Sequence, residues 1–200
     1  MLVACGATLL LTSCLSTALD RVRVRLAQAN TKAALSETLE MPPTICVTSR
    51  AEYEICSWSG ISSGDVWYAL SQLVNTRDPV NMVCEVPADG GPRDRGSCDI
   101  HPRRAQGDPD PSEAGREAAA QQLSAATGMR EVIALVGDAP DHCAREEYAM
   151  QSCSWRATKE HQGWPVLASL GATEGPVDLA CRFSLETGAV ASEGCAVRVP

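Results

Sequence analysis

Aromatic side chains are scarce in this 200-residue chain: four tryptophans, three tyrosines and a single phenylalanine, Phe183, make up 4% of it. A core so poor in large rings must draw stability from another source. Histidine is rarer still. His101, His142 and His161 are the only three, no two stand at helical i, i+4 spacing, and no HExxH occurs, which removes the helix-borne zinc-protease arrangement. Among ten cysteines there is no C-x-x-C pair, which argues against a thioredoxin-like dithiol and an ordinary zinc ribbon. Basic blocks are absent too, and with a net charge of −8 nucleic acid is not an expected partner.

What the chain does have is a duplicated cysteine frame. Cys46, Cys56, Cys84 and Cys98 recur 97 positions later as Cys143, Cys153, Cys181 and Cys195, with no insertion or deletion. Ser57-Trp58 falls on Ser154-Trp155, Trp67 on Trp164, Leu70 and Leu73 on Leu167 and Leu170, and Gly91 on Gly188. Two tandem copies are therefore expected: an export segment 1–19, a first repeat 20–102, a linker 103–115 and a second repeat 116–200. Each copy uses four cysteines, an even number, so a disulfide framework in an oxidising compartment is the expected use of them. A bridge closing a loop of about 15 residues contributes roughly 3 kcal/mol in the loop-entropy model, enough for four to stand in for missing aromatic burial.

Residues Met1 to Leu19, MLVACGATLLLTSCLSTAL, are uncharged and read as an export signal. Leu11-Thr12-Ser13-Cys14 resembles the bacterial lipobox, which makes Cys14 the expected lipidation site and the membrane a partner through a lipid anchor. No Lys or Arg precedes the apolar run, so the true start lies upstream or the signal is atypical. The alternative is a conventional secretory signal or an uncleaved anchor with an incidental cysteine.

From Asp20 to Leu39 the apolar spacing is helical, with Asn30-Thr31 placed to cap a second helix and Met41-Pro42-Pro43 to end it. Glu113 to Val136 repeats the pattern, broken at Thr127-Gly128 and stopped by Gly137. Alternation then replaces helical spacing. Cys56 shares a face with Trp58, and Cys153 with Trp155; return strands are expected from Trp67 to about Val74 and from Trp164 to Leu170, with a short helix as the alternative for the first. The clearest strands start at Val80 and Val177. If Cys84 faces Cys98, and Cys181 faces Cys195, the hairpins centre on Gly91 and Gly188, with Met82 opposite Ile100, Leu179 opposite Val197 and Asp178 opposite Arg198. The expected fold is α+β: two tandem repeats, each a helix pair on a four-stranded antiparallel meander with two disulfides, one sheet face covered and one wet.

Catalytic constellations are thin. Gly60-Ile61-Ser62-Ser63-Gly64 matches the G-x-S-x-G nucleophile motif, but a hairpin turn is expected there and the second copy has no serine. The three histidines are expected at the surface, and Asp141-His142-Cys143 loses its metal-binding character once Cys143 has a disulfide partner. No catalytic residue, metal or cofactor is expected. The tryptophans are expected in the core, leaving Tyr68 and the loop residues Tyr53 and Tyr148 as candidate contacts for a partner.

Helix pair, Gly128-Met129, Val132, Gly137 and Cys143 together are similar to the β-lactamase inhibitory proteins, whose two copies each lay a helix–loop–helix on a four-stranded sheet. The resemblance implies disulfides Cys46–Cys56 and Cys143–Cys153, tying a post-helix loop to the first strand. Val132 to Pro140 also looks like the helix end of small lipoproteins of outer-membrane barrel assembly. The resulting expectation is an exported, lipid-anchored bacterial protein of the cell envelope that binds or scaffolds, with another envelope protein as partner. The rivals are a small periplasmic hydrolase using Ser62, and an inhibitor of an extracellular enzyme.

Overall fold

The structure, a computed structural model, describes residues 20–93 and 98–200. Residues 1–19, where the export signal and Cys14 are expected, lie outside the described residues. Residues 20–28 form α1 and Lys32–Leu39 form α2. The break between them is where the sequence sets it: Thr31 Oγ1 accepts from the Ala34 N–H at 3.1 Å, the bond an N-cap hydroxyl makes to an otherwise orphaned helix donor. There follow β1 (Ile45–Arg50), β2 (Tyr53–Ile61), α3 (Gly64–Leu73), β3 (Val80–Pro87) and β4 (Cys98–Pro102). These strands make one antiparallel sheet in the order β1-β2-β3-β4.

The remainder runs α4 (Glu113–Ser124), α5 (Met129–Val136), β5 (His142–Arg145), β6 (Met150–Ala157), α6 (Trp164–Gly171), β7 (Val177–Ser184) and β8 (Val190–Arg198). Its sheet is ordered β5-β6-β7-β8, again antiparallel. α5 stops at Gly137, which takes φ +90° and donates its N–H back to Ile133 O at 2.7 Å; a side chain there would strain the turn.

Two expectations need correction. The segments expected as return strands are helices: for α3 the short-helix alternative holds, and α6 is a helix where only a strand was expected. In α6, Trp164, Leu167 and Ala168 fall on one buried helical face, and Pro165 occupies the first turn, where a missing N–H costs nothing. The fourth strand of each sheet comes instead from Ile45–Arg50 and His142–Arg145, where the resemblance implies a post-helix loop. Consequently Cys46–Cys56 and Cys143–Cys153 join strand to strand, not loop to strand.

The hairpin registers agree with expectation: Cys84 pairs with Cys98, Met82 with Ile100, Leu179 with Val197 and Asp178 with Arg198. All four disulfides are formed, Cys46–Cys56, Cys84–Cys98, Cys143–Cys153 and Cys181–Cys195. A bulge between Cys181 and Phe183 displaces the second hairpin, so that Phe183 pairs with Val190.

Two core clusters organise the packing. One joins α1–α3 to the cysteine-bearing face of the first sheet through Leu35, Leu39, Trp58, Leu70 and Met82. The other joins α5 and α6 to the cysteine-bearing face of the second sheet through Val132, Ile133, Trp155, Leu167 and Leu179, and it also takes in Val47, Ile55 and Val83 from the opposite face of the first sheet. The layers therefore run helices, first sheet, helices, second sheet. The polar face of the first sheet, expected to be wet, is covered, and only the second sheet keeps an open face. Residues 103–115 are held rather than free: Ala105 N–H donates to Lys159 O, Gln106 N–H to Gln162 O, and Asp110 N–H to Ser169 Oγ at 2.7 Å.

Candidate functional site

Three places could carry function: the seam where α5 meets the first sheet, the open face of the second sheet, and a cleft between α4 and β8. The seam is built around Asp138, just past the end of α5. Its carboxylate accepts from Ser57 Oγ at 2.7 Å, from Ser59 Oγ at 3.0 Å and from Asn81 Nδ2 at 3.0 Å. Asn81 is fully satisfied: the same amide nitrogen also donates to Gly137 O, and its Oδ1 accepts from Gly60 N–H. Ser57 and Asn81 are buried, so these bonds replace water that the α5 end excludes.

His101, paired with Asn81 across the sheet, was expected at the surface and is buried at 6% exposure, because the second half of the chain covers this face. Burial pulls its pKa below the ordinary value, outweighing the upward pull of Asp99, the Gln162 side chain and Asp138. The ring is packed in the seam, its Nε2 buried without a hydrogen-bond partner among the described residues. His142 is exposed, and His161 sits in a turn with Nδ1 accepting from Thr158 N–H, as expected of both.

Ser62 occupies a strand-to-helix turn, not the hairpin turn expected for it, since β2 runs into α3 there. It nevertheless lacks the strained conformation of a nucleophile elbow. The positive φ values fall on Gly60 and Gly64, and among the described residues no histidine or carboxylate hydrogen-bonds to Ser62. Cys46, Glu54 and Cys56 bring potential metal ligands within 4.8 Å of one another, but the sulfurs are bonded together and Glu54 is held by Lys32 at 2.8 Å. A thiolate pair is not on offer.

The three candidate tyrosines stand on three separate elements. Tyr53 opens β2 and packs under the Arg50 guanidinium, 4.1 Å from its ring centre. Tyr68 is 40% exposed on α3, and Tyr148 is 92% exposed at the tip of the β5–β6 hairpin. They make no shared aromatic patch.

The open face of the second sheet is better organised. Arg156, Asp178 and Arg198 lie side by side across β6, β7 and β8 as one charged row. Beside it runs a row of small residues, Ser154, Ala180 and Ala196, and beyond these Arg182 pairs with Glu146 at 2.7 Å. This is a flat surface with charges at its margin. On the other face of the same sheet, a cleft of about 630 Å³ opens between α4 and β8, lined by Leu123, Ala126, Leu170, Val190 and Val197, with Cys195 in its wall.

Each sheet also carries its four cysteines in one transverse row. Cys46, Cys56, Cys84 and Cys98 are successive cross-strand partners, as are Cys143, Cys153, Cys181 and Cys195. No protein-family model, curated protein or solved structure matches the chain.

Proposed function

We propose that the chain is an exported protein of the cell envelope, lipid-anchored through Cys14, built from two copies of one disulfide-stapled unit, and acting by binding a second envelope protein on the open face of its second sheet. Duplication is supported by tryptophan bonds at the same 97-residue offset. Trp58 Nε1 donates to Met41 O and Trp155 Nε1 to Asp138 O, while Trp67 Nε1 donates to Asp78 O and Trp164 Nε1 to Gly175 O. Export is supported by four disulfides, and among the described residues no helix is long and apolar enough to cross a membrane.

One contrast carries the binding reading. Ile45, Val47, Ile55 and Val83 make the covered face of the first sheet, whereas the same positions of the second sheet are His142, Ala144, Ser152 and Ala180, left uncovered beside the Arg156–Asp178–Arg198 row. A small-residue surface with a charged margin suits a flat, polar contact with another protein. The test is a photo-crosslinking residue placed at Ala180 and, as control, at Tyr68 in cells making the protein. One defined adduct from position 180 and none from 68 is expected; equal adducts from both, or none, would refute the surface. Mass spectrometry of the mature N-terminus tests acylation of Cys14.

The hydrolase reading keeps one supporting observation, the strand-to-helix setting of Ser62. Labelling by a serine-reactive phosphonate, abolished in Ser62→Ala, would favour it. The resemblance to β-lactamase inhibitory proteins adds a third reading, in which the bound partner is an extracellular enzyme.

A further inference from the structure

The cysteine rows are more than two independent staples. In an antiparallel sheet the N–H and C=O of one residue point to the same neighbouring strand, so directly opposed pairs alternate between close and wide as one crosses the sheet. The bridged pairs Cys143–Cys153 and Cys181–Cys195 have Cα atoms 4.1 and 4.2 Å apart, the close type. Cys153 and Cys181, the opposed pair between them, are then of the wide type, about 5.5 Å apart, a span that disulfides also bridge. All four side chains share one face, because directly opposed residues do.

Exposure is graded along the row. The inner cysteines are closed off, Cys153 at 0% and Cys181 at 1%, while the outer pair on the edge strands, Cys143 and Cys195, are half-buried. Cys195 alone in this row lines the cleft between α4 and β8. A thiol reaching the row through this cleft meets an outer sulfur first, and the group it would displace is an inner, water-excluded one.

We propose that the second sheet is a thiol–disulfide exchange relay, entered through the α4–β8 cleft and taking a dithiol-bearing partner as its substrate. The partner's thiolate attacks Cys195 Sγ, forming a mixed disulfide and expelling Cys181 as thiolate. That sulfur is shut off from water, at 1% exposure. Its opposed neighbour is Cys153 Sγ. Attack there forms Cys153–Cys181, breaks Cys143–Cys153 and releases Cys143 as a thiolate, which takes a proton from solvent at the far edge. The partner's second thiol then displaces Cys195 from the mixed disulfide. In sum the dithiol is oxidised to a disulfide, two protein disulfides become one, and the two new thiols stand on opposite edges of the sheet.

The test uses the full chain, treated with dithiothreitol below molar equivalence, trapped with iodoacetamide and mapped by peptide mass spectrometry, with circular dichroism recorded before trapping. The expected product carries a Cys153–Cys181 bridge and alkyl groups on Cys143 and Cys195. Bridges that open only singly, with Cys181 or Cys153 alkylated, would overturn the proposal, as would resistance to reduction until the fold is lost. Cys195→Ser reads the second step alone: the relay moves the free thiol from Cys181 to Cys143, whereas alkylation at Cys181 beside an intact Cys143–Cys153 contradicts it. Should that variant fail to fold, the wild-type map decides.

Discussion

Asn81 of the first sheet and Asp138 at the end of α5 meet at 3.0 Å, amide to carboxylate, across the seam that joins the two halves of the chain. The same carboxylate takes the hydroxyls of Ser57 and Ser59, so one side chain answers three donors on a face that the second half seals. Removing it leaves the two hydroxyls only each other and the Asn81 amide only Gly137 O. Asp138→Ala is expected to lower the unfolding free energy by about 3 kcal/mol, since buried donors left without an acceptor each cost roughly 1–3 kcal/mol. Equilibrium urea unfolding measures this, and a loss below about 1 kcal/mol would mean that water takes the place of the carboxylate.

His101 makes the seam sensitive to acid. Burial holds its folded pKa below the ordinary 6.5, with Asp99, Gln162 and Asp138 resisting in part. As pH falls through that ordinary value, the unfolded ring takes up a proton that the folded ring refuses. The unfolded state then binds more protons, and stability declines. Above it both rings are neutral and His101 contributes no slope. His101→Gln is expected to flatten the stability profile between about pH 7 and pH 5; an unchanged slope in urea titrations across this range would sink the assignment.

Gly163, at the start of α6, fits where nothing larger does, because a β-carbon there would overlap the Leu135 carbonyl of α5. Gly163→Ala is expected to cost about 3 kcal/mol by forcing the two helices apart. Gly64 offers the contrast, with open space around it but a φ of +80°. There alanine costs only the left-handed strain, about 1 kcal/mol. Thermal unfolding of the two variants should rank them in that order.

Asp178 stands between Arg156 and Arg198 on the open face. Opposite charges facing each other across strands on a solvated sheet contribute little, so Asp178→Ala is expected to change stability by no more than about 0.5 kcal/mol. On the binding reading the same substitution abolishes the crosslink from Ala180. Loss of stability without loss of the crosslink would assign the row to the fold rather than to a partner.

Much of this architecture is legible in the residues. Thr31 and Gly137 mark helix ends by chemistry that any sequence displays, and the cysteine offset sets the hairpin registers. The strand reading fails at α6, and at α3 the helix alternative holds, because a short apolar run such as Val166 to Leu170 satisfies strand and helix alike; the first-turn Pro165 favours the helix. The seam was harder. Its signal lies in positions 97 residues apart that differ: Asn81 and His101 correspond to Asp178 and Arg198, and Asp138 to Met41. A neutral pair is fit for burial and a charged pair for water, so these residues mark the first sheet as the covered one and the second as the open one. Which surface covers it depends on how the halves dock, and that is not a local property of either half.

The order of layers has a consequence for orientation. α1, which begins the described chain, lies on the outer side of the first sheet, and the open face of the second sheet is the outer side at the other end of the stack. A molecule tethered ahead of residue 20 would hold its helical end toward the tether and turn the Ser154–Ala180–Ala196 surface outward, leaving the part most available to a neighbour at the greatest height above the membrane.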